Sequence, residues 1–371
     1  MTRFLLVQLA VLSASAQIRS GQFMNRDAWI METPELRVTI MQSGGHIAEI
    51  VLKDATGEVN PLWIQKRPTI DADRFEPARD AARYGGGAGA RLMSGLLGHN
   101  VCFPFWGNPS DAEAKAGMTF HGETGITRWK QFAAPESGAL AIGADLPQSQ
   151  TRFSRTLRVK GQVLSVESVA ENQSAWDRPV GWCEHVTFGA PFLEKEVTMI
   201  DSPLGRGRTL DEKSSLEIAY DASLRTVRKS DKEYGFVKNF VVDPKREYGF
   251  FTAVHPARRL LIGYIFPRAQ FRWLNVWEAN NPEMLTRGME FSNTPSHGTM
   301  KAMVGTPSLF GEPTYDWLEA KSKLTKRFAA FSVRVPPQFK GVADVRIDRN
   351  RLIIIERESN RTVEMEWPFA N

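Results

Sequence analysis

Three of the six histidines sit in short segments that combine imidazole, glycine and aromatic side chains. The first segment is Gly98-His99-Asn100-Val101-Cys102-Phe103-Pro104-Phe105-Trp106-Gly107. The second runs from Phe120-His121-Gly122-Glu123 to Arg128-Trp129, and the third is Gly181-Trp182-Cys183-Glu184-His185 through Phe188-Gly189. A fourth, Thr286-Arg287-Gly288-Met289-Glu290-Phe291, brings a carboxylate between apolar neighbours. Imidazole gives or takes a proton near neutral pH, and a carboxylate can be its opposite number. Aromatic faces suit the C–H face of a sugar ring, with polar groups beside them for its hydroxyls. Histidine, glutamate and tryptophan together are therefore what proton transfer on a carbohydrate requires. Taken singly, each residue has a plainer reading. A lone histidine in a β protein is more often structural, and Glu290 also fits the outward position of a strand.

Other chemistries find less support. No His-x-x-x-His or similar close pair occurs, so a zinc site is not expected. No Gly-x-Ser-x-Gly elbow is present. Paired carboxylates for glycoside hydrolysis remain open, because their spacing is set in space and not in sequence. Gly85-Gly86-Gly87-Ala88-Gly89 does not link a strand to a helix and is no phosphate-binding fingerprint; it reads as a loop near the mouth of a site. The net charge of +5, from 47 basic and 42 acidic residues, is not concentrated in a basic tract. A nucleic-acid partner is therefore not expected.

The elements that would carry these segments are strands. Leu36 to Ile40 alternates with period two, and Ile47 to Leu52 follows a Gly44-Gly45 turn. Leu157 to Val169 repeats the pattern around Gly161. Phe331 to Val335 stops at Pro336-Pro337, and Leu352 to Arg357 is a final strand with 362–367 as its partner. Helical patterns are confined to short turns at Ala78–Arg83 and Asp316–Ala320. The 371 residues, 42% hydrophobic and 24% charged, thus predict an all-β fold, a large sandwich of antiparallel sheets with few short helices. Residues 17–371 show no linker or repeat and read as one domain. Residues 1–16 have the form of a secretory signal peptide: Arg3, a short apolar run and Ala14-Ser15-Ala16. A soluble periplasmic or secreted protein is expected. Translation from Met24 or Met31 would instead leave it in the cytoplasm. No segment is long enough to span a membrane. Cys102 and Cys183 read as two buried thiols or as one bridge.

In this order, the four segments resemble the galactose mutarotase-like superfamily, which includes aldose 1-epimerases and hexose-6-phosphate epimerases. The residues that carry the likeness are Gly44-Gly45, Cys102 to Gly107, His121-Gly122, Arg128-Trp129, Glu184-His185 with Phe188-Gly189, and Arg287 to Glu290. The resemblance spans residues 34–340. It implies a β-supersandwich, no cofactor and no metal, and an isomerase that opens and recloses a sugar ring by general acid–base catalysis. By resemblance, Glu290 is the base at the anomeric hydroxyl, His185 the acid at the ring oxygen, and His121 a group that places the sugar. His99, Asn100, Trp106, Arg128, Trp277 and Arg287 are the candidate substrate contacts. The implied partner is a neutral aldose or a glycan-derived sugar. Gly98-His99-Asn100 stands where the phosphate-sugar branch has Arg-Gly-Gly, which weighs against a phosphorylated ligand. The alternative function is a noncatalytic carbohydrate-binding module of the same fold. The enzyme reading requires His121, His185 and Glu290 to line one concave site.

Overall fold

A computed structural model describes residues 15–210, 217–295 and 297–367. Nearly all of the expected export signal, residues 1–16, lies outside them. Two antiparallel sheets dominate, one of eleven strands and one of eight. The long hairpin Thr151–Lys160 and Val163–Asn172 shows why. Its residues alternate between buried and partly exposed, as period-two patterning demands. The Gly161 turn falls where the sequence places it, with Lys160 paired to Val163. The expected hairpin of Leu36–Met41 and Ile47–Leu52 is also present.

The inner faces of the two sheets enclose the main core. Phe291 stacks on Phe266 at 4.5 Å between ring centroids, and Phe251 on Tyr264 at 4.8 Å. Strand Lys323–Arg334 lies in the interior of the eight-stranded sheet, between Leu260–Pro267 and Val163–Asn172. A separate three-stranded sheet, Val342–Asp348, Arg351–Glu356 and Thr362–Glu366, forms a third layer. Its Val345, Leu352 and Ile354 pack with Phe250, Leu261 and Phe331. Asp201 ties this layer down, accepting from the guanidinium groups of Arg225 and Arg357 and from the Val342 N–H.

Helices are short, as expected. Ala78–Arg83 falls within the helix Pro77–Tyr84. The expected turn at Asp316–Ala320 is corrected: Asp316–Leu318 is a strand paired with Arg178–Val180. Its Asp316 carboxylate is held by Arg272, Lys326 and Asn293, contacts between distant residues that no local pattern reveals. No helix among the described residues is long and apolar enough to cross a membrane.

Three buried histidines make the fold acid-sensitive. Burial, helped by the Arg26 charge, pushes His46 down to about 3. Burial also lowers His99 and His121. Below about pH 6.5 the unfolded chain takes up protons that the native protein refuses, so stability must fall as pH falls. Each such histidine contributes up to about 1.4 kcal/mol per pH unit. Urea midpoints measured at pH 7, 6 and 5 should drop progressively. A flat profile would mean that these rings take up protons in the native protein as readily as in the unfolded chain.

Candidate functional site

The site forms on the outer face of the eleven-stranded sheet, where strand Cys183–Gly189 lies between His99–Cys102 and Met284–Ser292. Every residue of Cys183–Gly189 is buried. Alternation sends Val186 and Phe188 into the core between the sheets, leaving Cys183, His185 and Thr187 on the other face. The register that pairs Cys183 with Ser292 and Thr187 with Gly288 sets His185 opposite Glu290. The His185 Nε2 and Glu290 Oε1 atoms are 2.8 Å apart. They are close without being aligned as a hydrogen bond, since Glu290 Oε1 has no hydrogen-bonding partner. The other oxygen, Oε2, accepts from the Cys183 thiol at 3.7 Å.

His121 arrives from a loop. It has a φ of 67°, and the next residue, Gly122, has a φ of 84°. A side chain at 122 would place its Cβ 2.1 Å from the Phe103 carbonyl oxygen, so the loop needs glycine there. Glu123 then anchors the loop to the turn between strands Ala139–Leu146 and Thr151–Lys160 by accepting from the Gln148 and Ser149 N–H groups, each at 2.8 Å. The His121 Nδ1 accepts the Gly107 N–H at 3.0 Å. That bond requires a ring without a proton on Nδ1, so the neutral ring carries its proton on Nε2. Burial, with His185 and His297 nearby, holds His121 well below the usual histidine range in the same sense.

These groups surround a cavity of about 320 Å³ whose walls include Trp63, Trp106, Phe120, Trp277, Met93 and Met284, with His121, His185, Glu290 and His297. The His121 and His185 rings are 5.0 Å apart, and Trp277 is 5.8 Å from His185. Trp277 lies across Gly288 on the neighbouring strand. A Cβ at 288 would fall 1.7 Å from the Trp277 Nε1, so glycine makes room for the indole. Neither Trp106 Nε1 nor Trp277 Nε1 has a hydrogen-bonding partner, although both are buried.

Five of the expected site residues thus converge: Glu290, His185, His121, Trp106 and Trp277. Four do not line the cavity, which corrects their assignment as substrate contacts. His99 is fully buried between the sheets, with its Nε2 2.8 Å from Glu184. Asn100 is also fully buried, its amide directed to Cys102 Sγ. Arg128 is bound by Asp27, Asp71 and Gln42. Arg287 is held by Glu278 and the carbonyls of Leu224 and Thr226. The two guanidinium groups are thus engaged by carboxylates and by amide or carbonyl oxygens of the protein itself, and His99 by a buried carboxylate. Conversely, His297 is a site residue that the sequence reading passes over. It stands 4.6 Å from Trp106 and 5.9 Å from His121. The signal for it is His297-Gly298, which repeats the His121-Gly122 pairing. Among the described residues, no three potential metal ligands are grouped to hold an ion.

Cys102 and Cys183 face each other across paired strands as free, buried thiols. Burial raises both pKa values, Cys183 well above the thiol range, so Cys183 is a proton donor to Glu290. Thiol titration without reductant should find neither cysteine in the native protein and both in denaturant. Absence of thiols in denaturant would reveal a bridge.

Comparison with known proteins gives no matching family model and no similar curated protein. Solved structures do match. A Klebsiella pneumoniae protein, provisionally assigned as an aldose 1-epimerase, superposes with a TM-score of 0.66 at 14% identity, over 85% of this chain and 83% of its own. A galactose mutarotase-like protein from Clostridium acetobutylicum gives 0.61 at 12% identity, over 86% and 99%. An Escherichia coli K12 protein with the same provisional aldose 1-epimerase assignment gives 0.57 at 12%, over 86% and 100%. At this level of identity the likeness concerns architecture, and by it the chain has the galactose mutarotase-like fold.

Proposed function

We propose that the protein is an aldose 1-epimerase-like isomerase that interconverts the anomers of a sugar. The observation that carries this reading is a set of three buried, unpartnered polar atoms around one aromatic cavity: Glu290 Oε1, Trp106 Nε1 and Trp277 Nε1. Buried polar atoms without partners are rare and call for an explanation. A polyhydroxylated ring supplies one, offering a donor to the carboxylate and acceptors to the indoles.

The chemistry follows from adjacency. Ring opening removes the proton from the anomeric hydroxyl and delivers one to the ring oxygen. Both oxygens are bonded to C1, so the base and acid that serve them must also be neighbours. Glu290 and His185, 2.8 Å apart, meet that demand. Glu290 takes the hydroxyl proton while His185 protonates the ring oxygen. The C1–C2 bond then rotates, and closure on the other face reverses both transfers. The neutral His121 donates from Nε2 and holds the sugar without competing for the proton. The aromatic walls pack on the C–H face of the ring. Export to the periplasm or beyond, as residues 1–16 suggest, would place this activity among free sugars outside the cytoplasm.

The test is anomer exchange by NMR on a panel of neutral aldoses and uronates. Acceleration over the buffer rate is expected for at least one of them. Saturable line broadening with no acceleration would instead assign a noncatalytic binding module.

A further inference from the structure

The aromatic cavity does not end at its own walls. Trp63, Met93 and Met284 also line a second chamber of about 710 Å³, more than twice as large. Its character is different. Lys66, Arg67 and Arg83 face it, and among the described residues no carboxylate lies within ion-pairing distance of any of them. The Arg67 guanidinium is positioned by neutral acceptors: Gln65 Oε1 at 2.9 Å and the carbonyl of Met93 at 3.2 Å. It also sits over the Tyr84 ring at 5.1 Å. Gln65 is itself fixed by the carbonyls of Met93 and Leu96. Lys66 donates to the Pro282 carbonyl at 2.9 Å. The helix Pro77–Tyr84 brings Arg83 to the same chamber. Two carboxylates, Glu233 and Glu283, enter from the side of strands Tyr234–Val242 and Trp273–Asn281; neither is paired with these cations.

Lys66 and Arg67, held by carbonyls and an amide, keep their charge available. Guanidinium groups in particular match the planar geometry of carboxylate and sulfate. The first chamber holds the acid–base pair, and the second begins at its rim. We propose that the substrate is an acidic saccharide of at least two rings, in which the reducing-end ring occupies the aromatic cavity. The next ring carries a carboxylate or sulfate ester that Lys66, Arg67 and Arg83 bind, while Glu233 and Glu283 accept its hydroxyls. This rests on the function proposed above and names its substrate class.

The test compares reducing disaccharides whose second ring is neutral, a uronate or a sulfate ester. Binding is measured by calorimetry on the full chain carrying Glu290→Gln, so the result does not depend on turnover. An acidic second ring should bind roughly tenfold more tightly than the neutral one, about 1.4 kcal/mol, with the advantage shrinking as salt rises. Adding Lys66→Ala and Arg83→Ala, two exposed positions, should cut the ratio several-fold, leaving only what Arg67 contributes, with an unchanged thermal midpoint as the folding control. Equal affinity for the neutral and both acidic disaccharides overturns the proposal, and so does a preference undiminished by the double substitution. Failure of anomer exchange alongside a retained acidic preference would strike the isomerase reading and leave the acidic ligand class standing.

Discussion

Glutamine at position 290 should slow anomer exchange by about 10² to 10⁴-fold, the usual contribution of a positioned acid–base group. The substitution keeps the shape of the side chain and an oxygen that can accept the Cys183 thiol. It removes the basic oxygen next to His185. Sugar binding, read from line broadening, should survive within a few-fold, so the loss should fall on kcat and not on KM. An E290Q protein with wild-type exchange would place the base elsewhere. An E290Q protein with a shifted thermal midpoint would expose a structural role, and His185→Gln would then decide whether the pair works as a unit.

A second glutamate, which directly precedes His185 on the same strand and pairs with Phe291 beside Glu290, should behave in the opposite manner. Glu184 is fully buried between the sheets. It accepts from Arg155 Nη2 at 2.6 Å and 2.5 Å, stands 2.8 Å from His99 Nε2, and accepts from Trp182 Nε1 at 3.0 Å. Burial alone would raise its pKa, but the Arg155 charge and these hydrogen bonds prevail and bring it down to about 2. Glu184→Gln leaves the buried Arg155 charge without its counterion and should cost about 3–5 kcal/mol of stability. Urea denaturation measures it. Replacing both partners with methionine should recover most of the loss, since a buried ion pair exchanged for apolar groups is often close to neutral. A loss below about 1 kcal/mol for the single change would show that water reaches Arg155.

The contrast explains which parts of the molecule were legible in its sequence. Period two gave the strands, because a half-buried strand writes its burial into every second residue. His121, His185 and Trp106 stood out because the loops and strands that aim them need glycine and aromatic neighbours. Gly122 and Gly288 are spatial requirements, at the Phe103 carbonyl and the Trp277 indole, that also show as letters. Arg128 and Arg287 misled because a charged side chain looks the same whether it meets ligand or a buried carboxylate. Their partners, Asp27, Asp71 and Glu278, are fixed by pairing in three dimensions. His99 misled similarly, since only the packing of one sheet on the other brings it to the buried carboxylate network. The chamber beside the cavity was invisible because Lys66, Arg83 and Glu233 come from three separate stretches with no shared pattern.

The place of strand Lys323–Arg334 has a consequence for how the molecule comes into being. Its two neighbours, Val163–Asn172 and Leu260–Pro267, are made long before it, and they cannot join into one sheet without it. Closure of the eight-stranded sheet therefore waits for a late part of the chain, and its pairings are distant in sequence. Such topologies fold slowly, because loop entropy must be overcome before long-range contacts repay it. During synthesis the earlier strands emerge with open edges and no finished core. A chain that cannot complete its fold early stays open to wrong pairing and proteolysis for longer.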